Sequence, residues 1–198
     1  NYDSRNNCNA IIETSTNKLL QGSDNTVLPD TVVSLRDFAF NNCSGLRNIS
    51  FNGNLETIGR GAFNSCSSIE KIVIPDSVKT IDSGQFSNQY TFGDCENLKT
   101  VVIGNGLTYI PQNMFRNNVS LESGTIGNGV KTIGDYAFYG CTKLKTIKFG
   151  NGVKSIGDYA FYNCTALEML VTGKYLEEIG KMPAWLQPTG SFGVGIQS

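Results

Sequence analysis

One unit of 23 residues, copied end to end, governs what this chain can fold into. Residues 133–155 read IGDYAFYGCTKLKTIKFGNGVKS, and at Ile156 the chain starts again with IGDYAFYNCTALEML. The unit can be written I-x4-F-x2-C-x2-L-x2-I-x-I-x3-V-x2, closing at 23 residues. Its first apolar residue falls at Leu35, Ile58, Ile81, Ile110, Ile133, Ile156 and Ile179, with spacings of 23, 23, 29, 23, 23 and 23. The phenylalanine recurs at Phe40, Phe63, Phe115, Phe138 and Phe161, and the leucine slot at Leu46, Ile69, Leu98, Leu121, Leu144 and Leu167. Self-similarity at this period marks a repeat solenoid, in which a unit too small to bury its own apolar face leans on its copies.

Each part of the unit has a local reading. The piece L-x2-I-x-I alternates apolar and polar residues and predicts a strand with one face inward. Three coils follow it with Gly-Asn-Gly, at 104–106, 127–129 and 150–152. Glycine there is expected to supply positive φ in a tight turn. Another coil uses Pro75-Asp76-Ser77 at this point. The V-x2-I piece predicts a second, shorter extended segment. DYAFYGC places Ala137, Phe138 and Cys141 at i, i+1 and i+4, which predicts one or two turns of α- or 3-10 helix with the phenylalanine inward. The fold class is an α/β repeat solenoid. It is a right-handed coil of about six repeats, with a strand face and short helical or 3-10 corners, and a rod roughly 30 Å long.

Three regions follow along the chain. Residues 1–30 form a polar lead and a capping hairpin, with 10–13 set against 18–21. Residues 31–179 are the repeats. Residues 180–198 form a C-terminal cap, in which Met182, Pro183, Trp185 and Leu186 fold over the last coil, followed by a flexible tail from Gly190. Two coils depart from the rule. The coil starting at Ile81 is six residues longer; Phe92 is followed by Cys95 at the right distance, so the extra residues bulge at the corner beside Phe86. The coil starting at Ile110 has Asn118 in the cysteine slot and Gly124 in an isoleucine slot, and is expected to be the weakest packed.

Composition narrows the chemistry. There is no histidine, which removes the His-based triads and the commonest general base. A net charge of −1 offers no basic stripe for nucleic acid. No run of 18 apolar residues is present to span a membrane. Five of the six cysteines sit three residues after a phenylalanine, which favours buried thiols acting as small hydrophobes over disulfides. No metal or cofactor site is expected. Asp135 and Asp158, like Lys131 and Lys154, fall in register and read as solvated columns. Tyr136, Tyr139, Tyr159 and Tyr162 repeat around the corner, as stacked neighbours or as a surface for carbohydrate or peptide.

The candidate site is the outward side of the strands: Lys71, Val73, Thr100, Val102, Thr146, Lys148, Met169 and Val171, with Asn48, Ser50, Ser123 and Thr125 beside them. Small polar and aliphatic residues on a ribbed sheet suit a protein partner, and exposed aliphatics tilt the surface toward contact.

IGDYAF, IPDSVKTI and F-x2-C-x2-L-x2-I resemble the BspA-like leucine-rich repeat family, and the opening CNAIIETSTNKLLQG followed by LPDTVVSL is similar to the N-terminal segments of its Bacteroides-type members. The resemblance covers residues 8–179. It implies a secreted or surface-anchored bacterial protein that is not an enzyme, with members linked to adhesion and to binding host extracellular proteins. It supplies no catalytic residues. The function expected is a protein-binding module whose partner is an extracellular protein, such as a host matrix or serum protein, with no nucleic acid and no membrane insertion. A spacer and a glycan-binding module are the alternatives, and self-association stays open. Removing one rung of the repeat, as in Phe138→Ala, should cost about 3–5 kcal/mol in equilibrium denaturation.

Overall fold

The computed structural model describes residues 1–86, 89–173, 175–181 and 193–197, the last by backbone alone. Within them the chain winds into a β-solenoid of about six turns. In chain order the strands are β1 (Tyr2–Asp3), β2 (Ile11–Glu13), β3 (Lys18–Gln21), β4 (Ser34–Leu35), β5 (Thr57–Ile58), β6 (Lys71–Ile74), β7 (Thr80–Ile81) and β8 (Thr100–Ile103). They continue with β9 (Tyr109–Ile110), β10 (Ser123–Ile126), β11 (Thr132–Ile133), β12 (Thr146–Phe149), β13 (Ser155–Ile156), β14 (Met169–Gly173), β15 (Glu178–Ile179) and β16 (Gly193–Gln197). β6, β8, β10, β12, β14 and β16 stack in parallel as the long ladder. The two-residue strands of V-x2-I form the second wall. β1 and β2 pair antiparallel, β2 and β3 form an antiparallel hairpin, and β3 lies parallel to β4 as the first rung of that wall.

The core lies between the walls and the corner. Ile72, Ile74, Val101, Ile103, Ile147 and Phe149 point inward from the long ladder, with Val78, Ile81, Ile110, Val130 and Ile133 facing them, all at most 2 % exposed. Phe40, Phe63, Phe92, Phe115, Phe138 and Phe161 form one continuous stack. Successive ring centroids are 4.9, 5.1, 5.6, 5.3 and 5.3 Å apart. This is close to the strand repeat of about 4.8 Å, so each ring takes the spacing set by the ladders.

The six cysteines are free, and the repeat thiols do more than fill space. Cys66, Cys95, Cys141 and Cys164 each donate from Sγ to a buried phenylalanine carbonyl one coil back, at 3.0, 3.3, 3.2 and 3.1 Å. Asn118 takes over this duty in its coil. Its Nδ2 donates to Phe92 O at 2.8 Å and Phe115 O at 3.0 Å, and its Oδ1 accepts from Cys95 N at 2.9 Å. The coil expected to be weakest is therefore fully satisfied where its consensus fails. At Gly124 a Cβ would lie 3.1 Å from Val101 Cγ2 and 3.3 Å from Ile147 Cδ1, so its neighbours have already closed over the missing side chain.

The corners are not helical. No α-helix is present among the described residues, and each F-x2-C corner is a pair of turns. Left-handed residues explain this. They recur at Phe38, Gly61, Asn113, Tyr136 and Tyr159, and four residues later at Asn42, Ser65, Asp94, Asn117, Gly140 and Asn163. A positive φ at both ends of the corner stops a helix from starting or propagating. The Gly-Asn-Gly turns correct the reading in the opposite sense. Those glycines do not have positive φ. They are needed because coils approach closely: a Cβ on Gly129 or Gly152 would lie 2.0 Å from the carbonyl oxygen of Asn105 or Asn128.

Two prolines decide where the ladders begin and break. In successive coils Gly104, Gly127 and Gly150 donate N–H to Ile74, Ile103 and Ile126 O one coil back. Pro75 holds this position after β6 and has no N–H, and β6 is the outer strand of its sheet. Likewise Gly59, Asp82, Gly134, Gly157 and Gly180 donate to Leu35, Ile58, Ile110, Ile133 and Ile156 O. Pro111 holds this slot in the coil after the insertion. There the second wall splits into β1–β2–β3–β4–β5–β7 and β9–β11–β13–β15.

Gly193–Gln197, within the stretch expected to be a flexible tail, forms β16 and adds a rung to β14, pairing Val194 with Leu170 and Ile196 with Thr172. The cap expected at Met182, Pro183, Trp185 and Leu186 lies outside the described residues.

Asn118→Leu strands the Phe92 carbonyl and the Cys95 N–H, whereas Phe115 O keeps the Cys141 thiol, and should destabilise by roughly 1–3 kcal/mol in urea denaturation; Asn118→Cys restores a donor and should cost less. Burial pushes the Cys95 thiol up to about 12 from an ordinary 9.0, and raises Cys66 and Cys141 as well. The folded state then keeps these protons after the unfolded chain has lost them. Stability should be level below about pH 9 and fall as pH climbs toward 12. Denaturation midpoints across that range would test this, and Cys95→Ala should flatten the fall.

Candidate functional site

The long ladder sets the outward residues in two columns. Lys71, Thr100, Ser123, Thr146 and Met169 form one in strict register, and Val73, Val102, Thr125, Lys148 and Val171 form the other. Strand alternation produces this: β6, β8, β10 and β12 each bury their second and fourth residues and turn the first and third outward. Val73 and Met169 are each 46 % exposed, Lys71 and Lys148 are exposed, and Thr100, Val102 and Thr146 are half-buried. Val171 departs from the expected site. The alternation lapses in β14, where Leu170, Val171, Thr172 and Gly173 are all buried and β16 pairs along the full strand. Val171 is 9 % exposed and is not part of the accessible face.

A shallow cleft of about 350 Å³ borders the first strand of this face. It is lined by Asn48, Ile49, Ser50, Phe51, Lys71, Val73 and Pro75. It lies where Pro75 leaves β6 without a hydrogen-bonded neighbour on that side. Asn48 and Ser50 therefore belong to the surface without belonging to the sheet.

Along the flank of the face runs a stripe of alternating charge. Glu70, Lys99, Glu122, Lys145 and Glu168 follow one another coil by coil, linked by backbone N–H···O bonds of 2.8, 2.9, 2.9 and 3.0 Å. Lys99 Nζ lies 2.9 Å from Glu70 Oε2, and the positive charge of Arg47 lies beside Glu70 at the start of the stripe. The Lys99 hydrogen bond and charge hold the Glu70 carboxyl below its ordinary value. The stripe neutralises itself and gives the face no field of one sign.

The tyrosines and aspartates take structural positions. Tyr136 stacks on Tyr159 and Tyr139 on Tyr162, both pairs at 5.4 Å between centroids. Arg116 closes the near side, 4.0 Å over Tyr139 and 5.5 Å over Tyr136. The faces these rings turn to one another are occupied, while Tyr162 remains 41 % exposed. Asp135 and Asp158 are not merely solvated. Asp135 Oδ1 accepts from Asp158 N, and Asp158 Oδ1 from Lys181 N, each at 2.8 Å. Asp76, Asn105 and Asn128 make the same kind of tie to the next coil's Asn105, Asn128 and Asn151 N. Among the described residues, no group of three or more His, Cys, Asp or Glu is placed to hold a metal, and no helix is long and apolar enough to cross a membrane.

Two parallel walls, a phenylalanine stack and a 23-residue period together define a leucine-rich repeat solenoid. The BspA type leucine-rich repeat region matches residues 20–90 and 87–183, in six copies, and the chain belongs to that family. The fold is similar to that of a leucine-rich repeat protein from Eubacterium ventriosum, with a TM-score of 0.74 and 22 % identity over 95 % of this chain and 55 % of that one. It is also similar to a leucine-rich repeat protein from T. pallidum, with a TM-score of 0.70 and 26 % identity over 93 % of this chain and 80 % of that one. A leucine-rich cell surface protein from Faecalibacterium prausnitzii matches with a TM-score of 0.55 and 21 % identity, over 83 % of this chain and 56 % of that one. This chain thus spans little more than half of the Eubacterium and Faecalibacterium proteins. No curated protein is similar to it.

Proposed function

We propose that this chain is a non-enzymatic binding module of a secreted or cell-surface bacterial protein, holding an extracellular protein partner against its strand face. The observation that carries this reading is the paired column of outward residues. Val73 and Met169 stand half exposed among lysines and threonines at fixed strand spacing, a mixture suited to a protein surface. The closely filled core supports it from the other side, because a repeat interior packed with stacked rings leaves recognition to the outer surface. Likeness to a cell surface protein from Faecalibacterium agrees with an extracellular setting. A second reading is a spacer that holds another domain away from the cell. It is favoured by the greater length of the Eubacterium protein, of which this chain covers 55 %.

The test is capture from human serum and from solubilised extracellular matrix on the immobilised protein. The double variant Lys71→Glu and Lys148→Glu should lose most of the bound material while keeping its melting temperature. Equal capture by the variant would exclude this face, and a blank capture by the unmodified chain would favour the spacer.

A further inference from the structure

A second site lies where the second wall breaks, away from the strand face. The six-residue insertion and Pro111 leave a cleft of about 670 Å³ beside β7 and β9, lined in part by Asp37, Arg60, Asp82, Phe86, Tyr109 and Gln112. None of the outward residues of the long ladder lines it. Phe86 is 68 % exposed and Tyr109 41 %, two aromatic rings presented at one opening. The described residues around Phe86 are tied together by hydrogen bonds. Gln89 N donates to Phe86 O at 2.8 Å and Gly84 N to Gln89 O at 3.0 Å. Thr91 N donates to Ser83 Oγ at 3.3 Å, and Thr91 Oγ1 to Asp82 O. Gln89 also packs across Gly84, where a Cβ would lie 2.1 Å from Gln89 Oε1. These bonds fix the backbone at Phe86 and at the described residues beside it.

The chemistry of the lining selects the occupant. Asp37 and Arg60 pair at 3.0 Å, so that part of the cleft has little net charge to attract a polyanion or a strongly charged peptide. Asp82 is exposed and Gln112 half exposed, and a carboxylate and an amide can meet neighbouring hydroxyls as acceptor and as donor. The broken wall offers no berth for an inserted strand. Phe63 and Phe92 still stack at 5.1 Å and β6 still pairs with β8, holding the two coils near one strand spacing of about 4.8 Å. Two exposed rings beside hydroxyl-binding groups, with little net charge, fit a ligand that has apolar C–H faces and many hydroxyls. We infer that this cleft binds a neutral oligosaccharide, with sugar rings lying on Phe86 and Tyr109 and hydroxyls bonded to Asp82 and Gln112.

The experiment is binding of the full chain to an array of neutral oligosaccharides built from glucose, galactose, mannose and N-acetylglucosamine, followed by titration of the tetrasaccharide retained best. Phe86→Ala and Tyr109→Ala should each weaken that titration by about tenfold. Both side chains are exposed, and circular dichroism melting checks that the fold survives. Tyr162→Ala, in the stacked corner, and the Lys71→Glu/Lys148→Glu double variant should leave the titration unchanged, which separates this site from the strand face. An empty array overturns the proposal. So does sugar binding that survives both Phe86→Ala and Tyr109→Ala, or binding lost in Tyr162→Ala. Retention of an uncharged peptide library in place of sugars, with the same loss in Phe86→Ala, would assign the cleft to peptides and overturn it as well.

Discussion

Successive coils are tied corner to corner by a buried hydrogen bond to a phenylalanine carbonyl. The phenylalanine at the corner turns its oxygen toward the next unit, and a thiol or, once, a carboxamide arrives there at 2.8–3.3 Å. At Phe40, Phe63 and Phe138 the carbonyl also accepts the backbone N–H of its own coil's cysteine, so the bond from the next coil is its second. At Phe92 the donor is the Asn118 carboxamide, and a carbonyl left unpaired there would cost about 1–3 kcal/mol. The donor works only if adjacent coils are one strand spacing apart. The ring stack, the Asx ties and the close-approach glycines all depend on that same separation. At Gly106 a Cβ would stand 2.1 Å from the Asp76 carbonyl oxygen, which shows how little slack the spacing allows.

Function follows from what this spacing leaves over. The interior is used by packing, and the proposed recognition falls to the outer surface. On the strand side the spacing produces straight columns of side chains at a regular interval. On the second wall it fails once, at Pro111, and the chain there carries extra residues and exposes two rings. Regularity and its interruption thus create two surfaces of different character, one broad and ribbed, the other local and mixed in polarity.

The period, the strands and the inward residues could be read directly from the amino-acid order, because alternation and a 23-residue recurrence are one-dimensional signals. The corners are less legible, because Ala137, Phe138 and Cys141 also fit a helical spacing. The countersignal was the residue before each cysteine slot, where Asn42, Asn117, Gly140 and Asn163 tolerate a left-handed backbone. The reason for the glycine turns is hidden, since contact between coils cannot be seen within one coil. Asn118 looked like a defect because a composition rule counts apolar residues and not donors. Val194 and Ile196 escape the pattern because they fall 24 residues after Leu170 and Thr172, one more than the period. For the site, alternation placed the outward columns correctly, whereas the burial of Val171 depends on a strand that the pattern did not announce.

The charged flank from Arg47 through Glu70, Lys99, Glu122 and Lys145 to Glu168 bears on how the chain finds its fold. Near-identical units are at risk of mispairing: a coil could dock against its neighbour's neighbour and satisfy almost every apolar contact. With signs that alternate from unit to unit, skipping one partner sets like charges side by side, an arrangement that is unfavourable across a ladder. The stripe thereby acts as a parity check on assembly, most effective at low ionic strength, where its repulsion is least screened.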